Sequence, residues 1–179
     1  MTSRMETLSH PPAPADLLQL ETLLIACVRG GASLGFMADI AAEEAAAYWA
    51  GVVSGPAAGA RVVLVARDAA DGRIVGTVQL APESRPNGRH RAEVQKLLVL
   101  PSHRHGGLGT ALMVAAEAEA RARAIRLLFL DTSEGRGGAR ALYERLGYTC
   151  IGGIPGYALD PDGTPRANAI FFKQLEAVS

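Results

Sequence analysis

Apolar and polar positions change period along this chain, and each change marks an element. Residues 3–9 read as a short edge strand. Between 17 and 28 the apolar residues fall at 17, 18, 20, 24, 25 and 28, the spacing of one helix face, with Asp16 placed to cap the start and Gly30-Gly31 to end it. A second helix is expected from 39 or 40 to about 53, before a loop marked by Gly55, Pro56 and Gly59. The period then shortens. Residues 62–67 are a continuous apolar run, 68–72 a turn and 74–80 a return strand, which together predict a hairpin. A basic loop over 82–90 leads to a strand at 93–100 and a long helix at 107–123. A strand at 127–132, a helix at 137–146, and strands at 148–152 and 169–173 follow, with a loop at 155–166. The order predicts one mixed α/β domain over residues 1–179, without internal repeats.

Composition narrows the classes. The chain has 179 residues, 49% hydrophobic and 20% charged, which suits a soluble globular domain with a full core. Its formal net charge is zero, so no bulk attraction to nucleic acid or membrane is expected, and any anion site must be built locally. Two cysteines, Cys27 and Cys150, read as free thiols of a reducing cytoplasm. No apolar run has the length of a membrane span, and the first residues lack the pattern of a secretory leader. The four histidines (His10, His90, His103, His105) share no metal spacing with cysteine or carboxylate, so no metal is expected.

The chemistry concentrates in E-V-Q-K-L-L-V-L-P-S-H-R-H-G-G-L-G-T-A, residues 93–111. An apolar strand ends at Pro101, a basic turn follows, and glycines open a helix. A helix start offers unsatisfied N–H groups and partial positive charge. Glycines let a diphosphate approach the backbone and allow positive φ. Arg104, His105, Gly106, Gly107, Leu108, Gly109 and Thr110 are therefore the candidate phosphate-binding residues. The spacing fits neither G-x-x-x-x-G-K-[ST] nor G-x-G-x-x-G, which argues against a P-loop or a dinucleotide crevice.

R-H-G-G-L-G resembles the R/Q-x-x-G-x-G/A signature of the GCN5-related N-acetyltransferases, and A-L-Y-E-R-L-G-Y at 141–148 is similar to that family's L-Y-x-x-x-G-F/Y segment. The resemblance implies the family's acyl-CoA N-acyltransferase fold. That is a mostly antiparallel central sheet, flanked by helices, with one parallel strand pair splayed at its C-terminal ends. It implies acetyl-CoA as acetyl donor and direct transfer to an amine. It also implies that Leu98, Val99 and Leu100 meet the pantetheine, with Leu98 and Leu100 pairing through their backbone and an N–H near Leu98 steadying the oxyanion. Two carboxylates compete for general base. Glu93 stands at the family's strand position and, at period two, shares a face with Gln95, Leu97 and Val99. Asp131 ends L-L-F-L-D among apolar neighbours that would raise its pKa. Tyr143, in the family's L-Y position, is the candidate acid for the departing thiolate. Arg136 stands where many relatives carry an asparagine that contacts pantetheine.

Within the family, G-G-A-S-L-G-F-M-A-D (30–39), L-D-T (130–132) and P-G-Y-A-L-D-P-D-G (155–163) resemble the tabtoxin-resistance acetyltransferases, which act on a β-lactam toxin. That likeness implies a small-molecule amine as acceptor, a toxin or antibiotic among the choices. Phe36, Met37 and Tyr157 would wall the acceptor pocket, with Trp49 as a further candidate, and Asp39 would hold an ammonium group. Two other functions stay open: acetylation of a protein or peptide α-amine, which predicts an open groove between the early helices and the late loop, and an idle acyl-CoA-binding module. The oligomeric state is left open, a homodimer included.

Overall fold

The computed structural model describes residues 3–54, 61–134 and 138–176. Strand β1 (Ser3–Thr7) leads to helices α1 (Pro14–Arg29) and α2 (Ala42–Ser54), then to strands β2 (Val62–Asp68), β3 (Ile74–Pro82) and β4 (Arg91–Val99). Helix α3 (Leu108–Ala122), strand β5 (Leu127–Ser133) and helix α4 (Ala139–Arg145) follow. The chain then runs through β6 (Thr149–Gly152), β7 (Ala158–Leu159), β8 (Pro165–Arg166) and β9 (Asn168–Gln174). The predicted helices and strands are all present, and the expected loop at Gly55, Pro56 and Gly59 lies outside the described residues. The late loop is more ordered than expected, because β7 and β8 pair into a small ribbon across 155–166.

Asp16 does not cap α1. The helix starts earlier, on Pro14, whose fixed φ suits a first helical position, and Ala13 supplies no side-chain cap. Asp16 instead lies in the first turn and meets Arg67 Nη2 at 2.9 Å, while Arg67 Nε meets Glu6 at 2.6 Å. Arg67 thus ties β1, β2 and α1 together.

One seven-stranded sheet runs in the order β1-β2-β3-β4-β5-β9-β6. Every neighbouring pair is antiparallel except β4 and β5. Helices cover both faces, which is why β2 and β3 read as continuous apolar runs rather than alternating ones. On one face α3 packs Leu112, Met113 and Ala116 against Leu64, Val78, Leu128, Leu130 and Phe171. On the other, α1 and α2 pack Leu20, Leu24 and Trp49 against Val63, Val65 and Leu98. Trp49 is fully buried in this second core, so it is a packing residue and not part of a pocket wall.

Two features of β4 shape the centre of the molecule. Its parallel register with β5 ends at Glu93↔Phe129, although β4 continues to Val99 and β5 to Ser133. The strands therefore part beyond Glu93. The antiparallel register with β3 also slips by one residue, from Gln79↔Gln95 to Thr77↔Leu98. Lys96 sits in the slip at φ 49°, so β4 carries a bulge there. The bulge changes which residues share a face. Ala92 and Val94, and beyond the bulge Leu97 and Val99, pack with the α3 core, whereas Leu98 packs under α1 and α2. Glu93 consequently shares its face with Gln95 and Leu98, not with Leu97 and Val99.

A buried ion pair anchors α4. Glu117 of α3, 5% exposed, receives both oxygens' bonds from Lys173 Nζ of β9 at 2.7 and 2.8 Å, and the same ammonium donates to the Leu146 carbonyl at 2.6 Å. Arg121 Nη2 also reaches Glu117 Oε2, at 3.4 Å, so loss of the lysine leaves the buried carboxylate one longer partner from its own helix. Lys173→Met is expected to destabilise the fold by about 3–5 kcal/mol, read from equilibrium denaturation. Retained stability would show that Glu117 is satisfied in another way.

Candidate active site

The turn after β4 prepares a concave run of main-chain donors. Residues Pro101–His103 form one turn of 3-10 helix, fixed by His103, whose ring bridges Ser102 Oγ at 2.9 Å and Asp68 Oδ2 at 3.1 Å. The backbone then enters the left-handed region at His105 (φ 65°) and again at Gly107 (φ 81°), the residue preceding α3. The first helical bond is Ala111 N–H to Gly107 O at 3.0 Å. From His105 through Thr110 no main-chain N–H finds an acceptor among the described residues. These groups gather at a helix start beside the exposed Arg104, an arrangement suited to an anion with several oxygens. A cavity of about 250 Å³ adjoins the turn, lined by Ser3, Met5, Ser102, Arg104, Gly106 and Gly107 among others.

The splayed stretch of β4 supplies further free backbone, displaced by one residue from expectation. Leu100 donates its N–H to Val75 O at 2.9 Å, which points its polar groups toward β3. In an antiparallel ladder the bonded pairs alternate, so Leu98, opposite Thr77, also faces β3. The groups of Leu97 and Val99 face the opening. The Val99 carbonyl accepts from Arg104 Nε at 3.3 Å and from Cys27 Sγ at 3.4 Å. Burial pushes the Cys27 thiol up, which keeps it a donor. Leu98 and Leu100, expected to offer their backbone to a ligand, thus turn it toward β3, and it is Leu97 and Val99 whose backbone is turned the other way.

Tyr143 packs in the core on the α3 side of the sheet, Asp131 and Glu93 lie on the other side, and the Asp131 charge reaches the tyrosine. Tyr143 is 7% exposed, its ring against Phe171 (5.5 Å between centroids) and Tyr148 (5.9 Å). No hydrogen bond from its hydroxyl is found among the described residues. Burial, aided by the Asp131 carboxylate, pushes the phenol up to about 12. Asp131 lies on the opposite face of β5 from the buried Leu128 and Leu130. It is exposed, and Asn168 Nδ2 approaches its Oδ2 at 3.5 Å, so the apolar surroundings expected for it are absent. Glu93 is half-buried on the same side of the sheet.

Sequence reasoning missed Lys96. Its ammonium donates to the Leu34 carbonyl at 2.8 Å and lies 5.9 Å from the centre of the Phe36 ring and 5.4 Å from that of Tyr48. Burial pulls this ammonium down, and the Asp131 and Glu93 charges pull it back up. Tyr48 and Gln79 were missed as well. The fully buried Gln79 donates to the Tyr48 hydroxyl at 3.0 Å and accepts from Arg61 at 3.0 Å. A glutamine within an apolar strand was the available signal. Of the expected acceptor-side residues, Phe36 stands edge-on to Tyr48 at 5.6 Å, while Met37, Asp39 and Tyr157 are exposed. The segment carrying Phe36, Met37 and Asp39 is joined to the late loop through Ala38 N–H and Pro161 O at 3.1 Å. Arg136 lies outside the described residues. Among the described residues no cluster of histidine, cysteine or carboxylate could hold a metal ion, and no helix is long and apolar enough to cross a membrane.

A helix-flanked mixed sheet that parts at one parallel pair, with free amides at the following helix, defines an acyltransferase-like class of fold. The model of the acetyltransferase (GNAT) family matches residues 30–148, more than half of the chain, and this protein belongs to that family. It is 38% identical over 109 residues to an uncharacterised N-acetyltransferase from a hisH-hisA intergenic region of Azospirillum brasilense, across 60% of this chain and 62% of that relative. Among solved structures, a ribosomal-protein-alanine N-acetyltransferase from Brucella melitensis is similar in fold (TM-score 0.75, 21% identity, 96% of this chain and 99% of that one). So is a candidate acetyltransferase from Salmonella typhimurium with its cofactor acetyl-CoA (TM-score 0.75, 17% identity, 100% and 97%).

Proposed function

We propose that this chain transfers the acetyl group of acetyl-CoA directly to the amine of a small molecule in the cytoplasm, with a β-lactam toxin or a related antibiotic as the acceptor suggested by sequence resemblance. The observation that carries the reading is the run of unbonded N–H groups from His105 to Thr110 at the start of α3, beside the opening between β4 and β5. Those amides and Arg104 would grip the diphosphate, and the backbone of Leu97 and the N–H of Val99 would pair with the pantetheine. An N–H of that stretch would face the thioester oxygen as it gains charge. Glu93 or Asp131 would take the amine's proton. As the carbon–sulfur bond breaks, the electron pair stays on sulfur, and Tyr143, neutral at physiological pH, would give the thiolate its proton.

The Ala38–Pro161 hydrogen bond favours a small acceptor, because it joins the early segment to the late loop where a peptide would need an open groove. A protein α-amine is the second reading, prompted by what the Brucella neighbour's name says of that protein. An idle acyl-CoA-binding module has no use for a tyrosine hydroxyl held within reach of the Asp131 carboxylate. The test is coenzyme A release from acetyl-CoA over a panel of amines, peptides and lactams, alongside calorimetry of coenzyme A binding. Release with small amines is expected. Binding without release for any acceptor would leave the idle module, and release with peptides alone would leave the second reading.

A further inference from the structure

Lys96 is costly where it stands and has no role in the transfer steps above. Its ammonium is partly desolvated, has one neutral acceptor in Leu34 O, and makes no ion pair within 4.0 Å among the described residues. Two aromatic faces offset part of the lost hydration, but a cation taken out of water is stable only with a compensating anion or a full set of acceptors. Glu93 and Asp131 act on it through charge alone. The bulge also holds Lys96 at φ 49°, a conformation uncommon for a residue with a β-carbon. Bulges of this kind re-aim side chains at sites of function.

On the sheet face under α1 and α2, the opening therefore presents two carboxylates and one ammonium, with Arg61 reaching the same polar cluster through Gln79. An acceptor that is only an amine would satisfy the carboxylates and leave Lys96 unpaired. We propose that Lys96 binds an anionic group of the acceptor, so that the acceptor is a zwitterion: an amine with a carboxylate, or an equivalent oxyanion, a short chain away. The amine lies toward Glu93 and Asp131, and the anion caps the ammonium between Phe36 and Tyr48. This assignment rests on the acetyl-transfer reading and specifies its substrate.

The experiment compares matched acceptors by coenzyme A release: α-amino acids, the same compounds as methyl amides, and their decarboxylated amines. The wild-type protein is expected to favour the acids in kcat/KM by about 10- to 100-fold, the scale of one charge-assisted contact. In Lys96→Met that ratio is expected to fall to about 2-fold or less, chiefly through KM, with coenzyme A affinity by calorimetry unchanged. Lys96→Arg is expected to keep part of the preference. Equal wild-type rates for acids and neutral amines would overturn this assignment alone, and that ratio needs no variant to fold. An equal loss for all acceptors in Lys96→Met would overturn it as well. Absence of release with every amine would overturn the acetyl-transfer reading and this assignment with it.

Discussion

Tyr143→Phe is expected to lower kcat for acetyl transfer by about 100- to 10,000-fold, the range for a positioned general acid, while the KM for acetyl-CoA stays within about 2-fold. The ring would be kept, with its contacts to Phe171 and Tyr148, so stability should hardly change. Only the hydroxyl is lost. The direction of its shift matters for the pH profile. A phenol raised to about 12 stays protonated from neutrality through the alkaline range in which a free tyrosine, near 10, would ionise. The wild-type kcat should therefore show no alkaline fall from this group below about pH 11. Turnover retained in the phenylalanine variant would remove Tyr143 from the proton pathway, and water would then have to serve the thiolate.

Gly107→Val should weaken coenzyme A binding by about 10- to 100-fold in calorimetry. Gly107 stands at φ 81° with open space where a β-carbon would go, so the obstacle is backbone strain and not crowding. A β-branched residue forced into that region costs about 1–3 kcal/mol, and the turn can relieve it only by rotating the amides away from their common focus. Gly72→Val is the control. It has a similar φ of 73° in the β2–β3 turn, so its strain should lower the melting temperature without touching coenzyme A affinity. Unchanged affinity in Gly107→Val would mean that the amides of this turn do not hold the ligand.

Most of the architecture was legible in the sequence because both sheet faces are covered and each strand carries its own apolar signal. The hairpin at Asp68–Gly72, the long α3 and the glycine turn all follow from periods and punctuation. What the sequence hid has largely one cause. A strict alternation of two places Glu93, Gln95, Leu97 and Val99 together, and nothing in E-V-Q-K-L-L-V-L announces that Lys96 will occupy a bulge. That extra residue reverses the parity of everything after it. It turned the backbone of Leu97 and Val99, instead of Leu98 and Leu100, toward the opening, and it hid Lys96 as a site residue. Asp131 was misjudged for a related reason: an apolar strand implies a buried end only if the partner strand continues beside it, and here β4 has already departed. Trp49 shows the opposite limit, since a large aromatic beside a pocket-forming segment is as well explained by a core.

The sheet also acts as a partition. Residues of α3 and the glycine turn settle one compartment, and those of α1, α2 and the 30–39 segment settle the other, with no helix contributing to both buried clusters. Substitutions that reshape the acceptor wall can accumulate in one compartment while the donor-handling machinery in the other keeps its form. Such a chain could trade one amine for another over generations without first losing its chemistry.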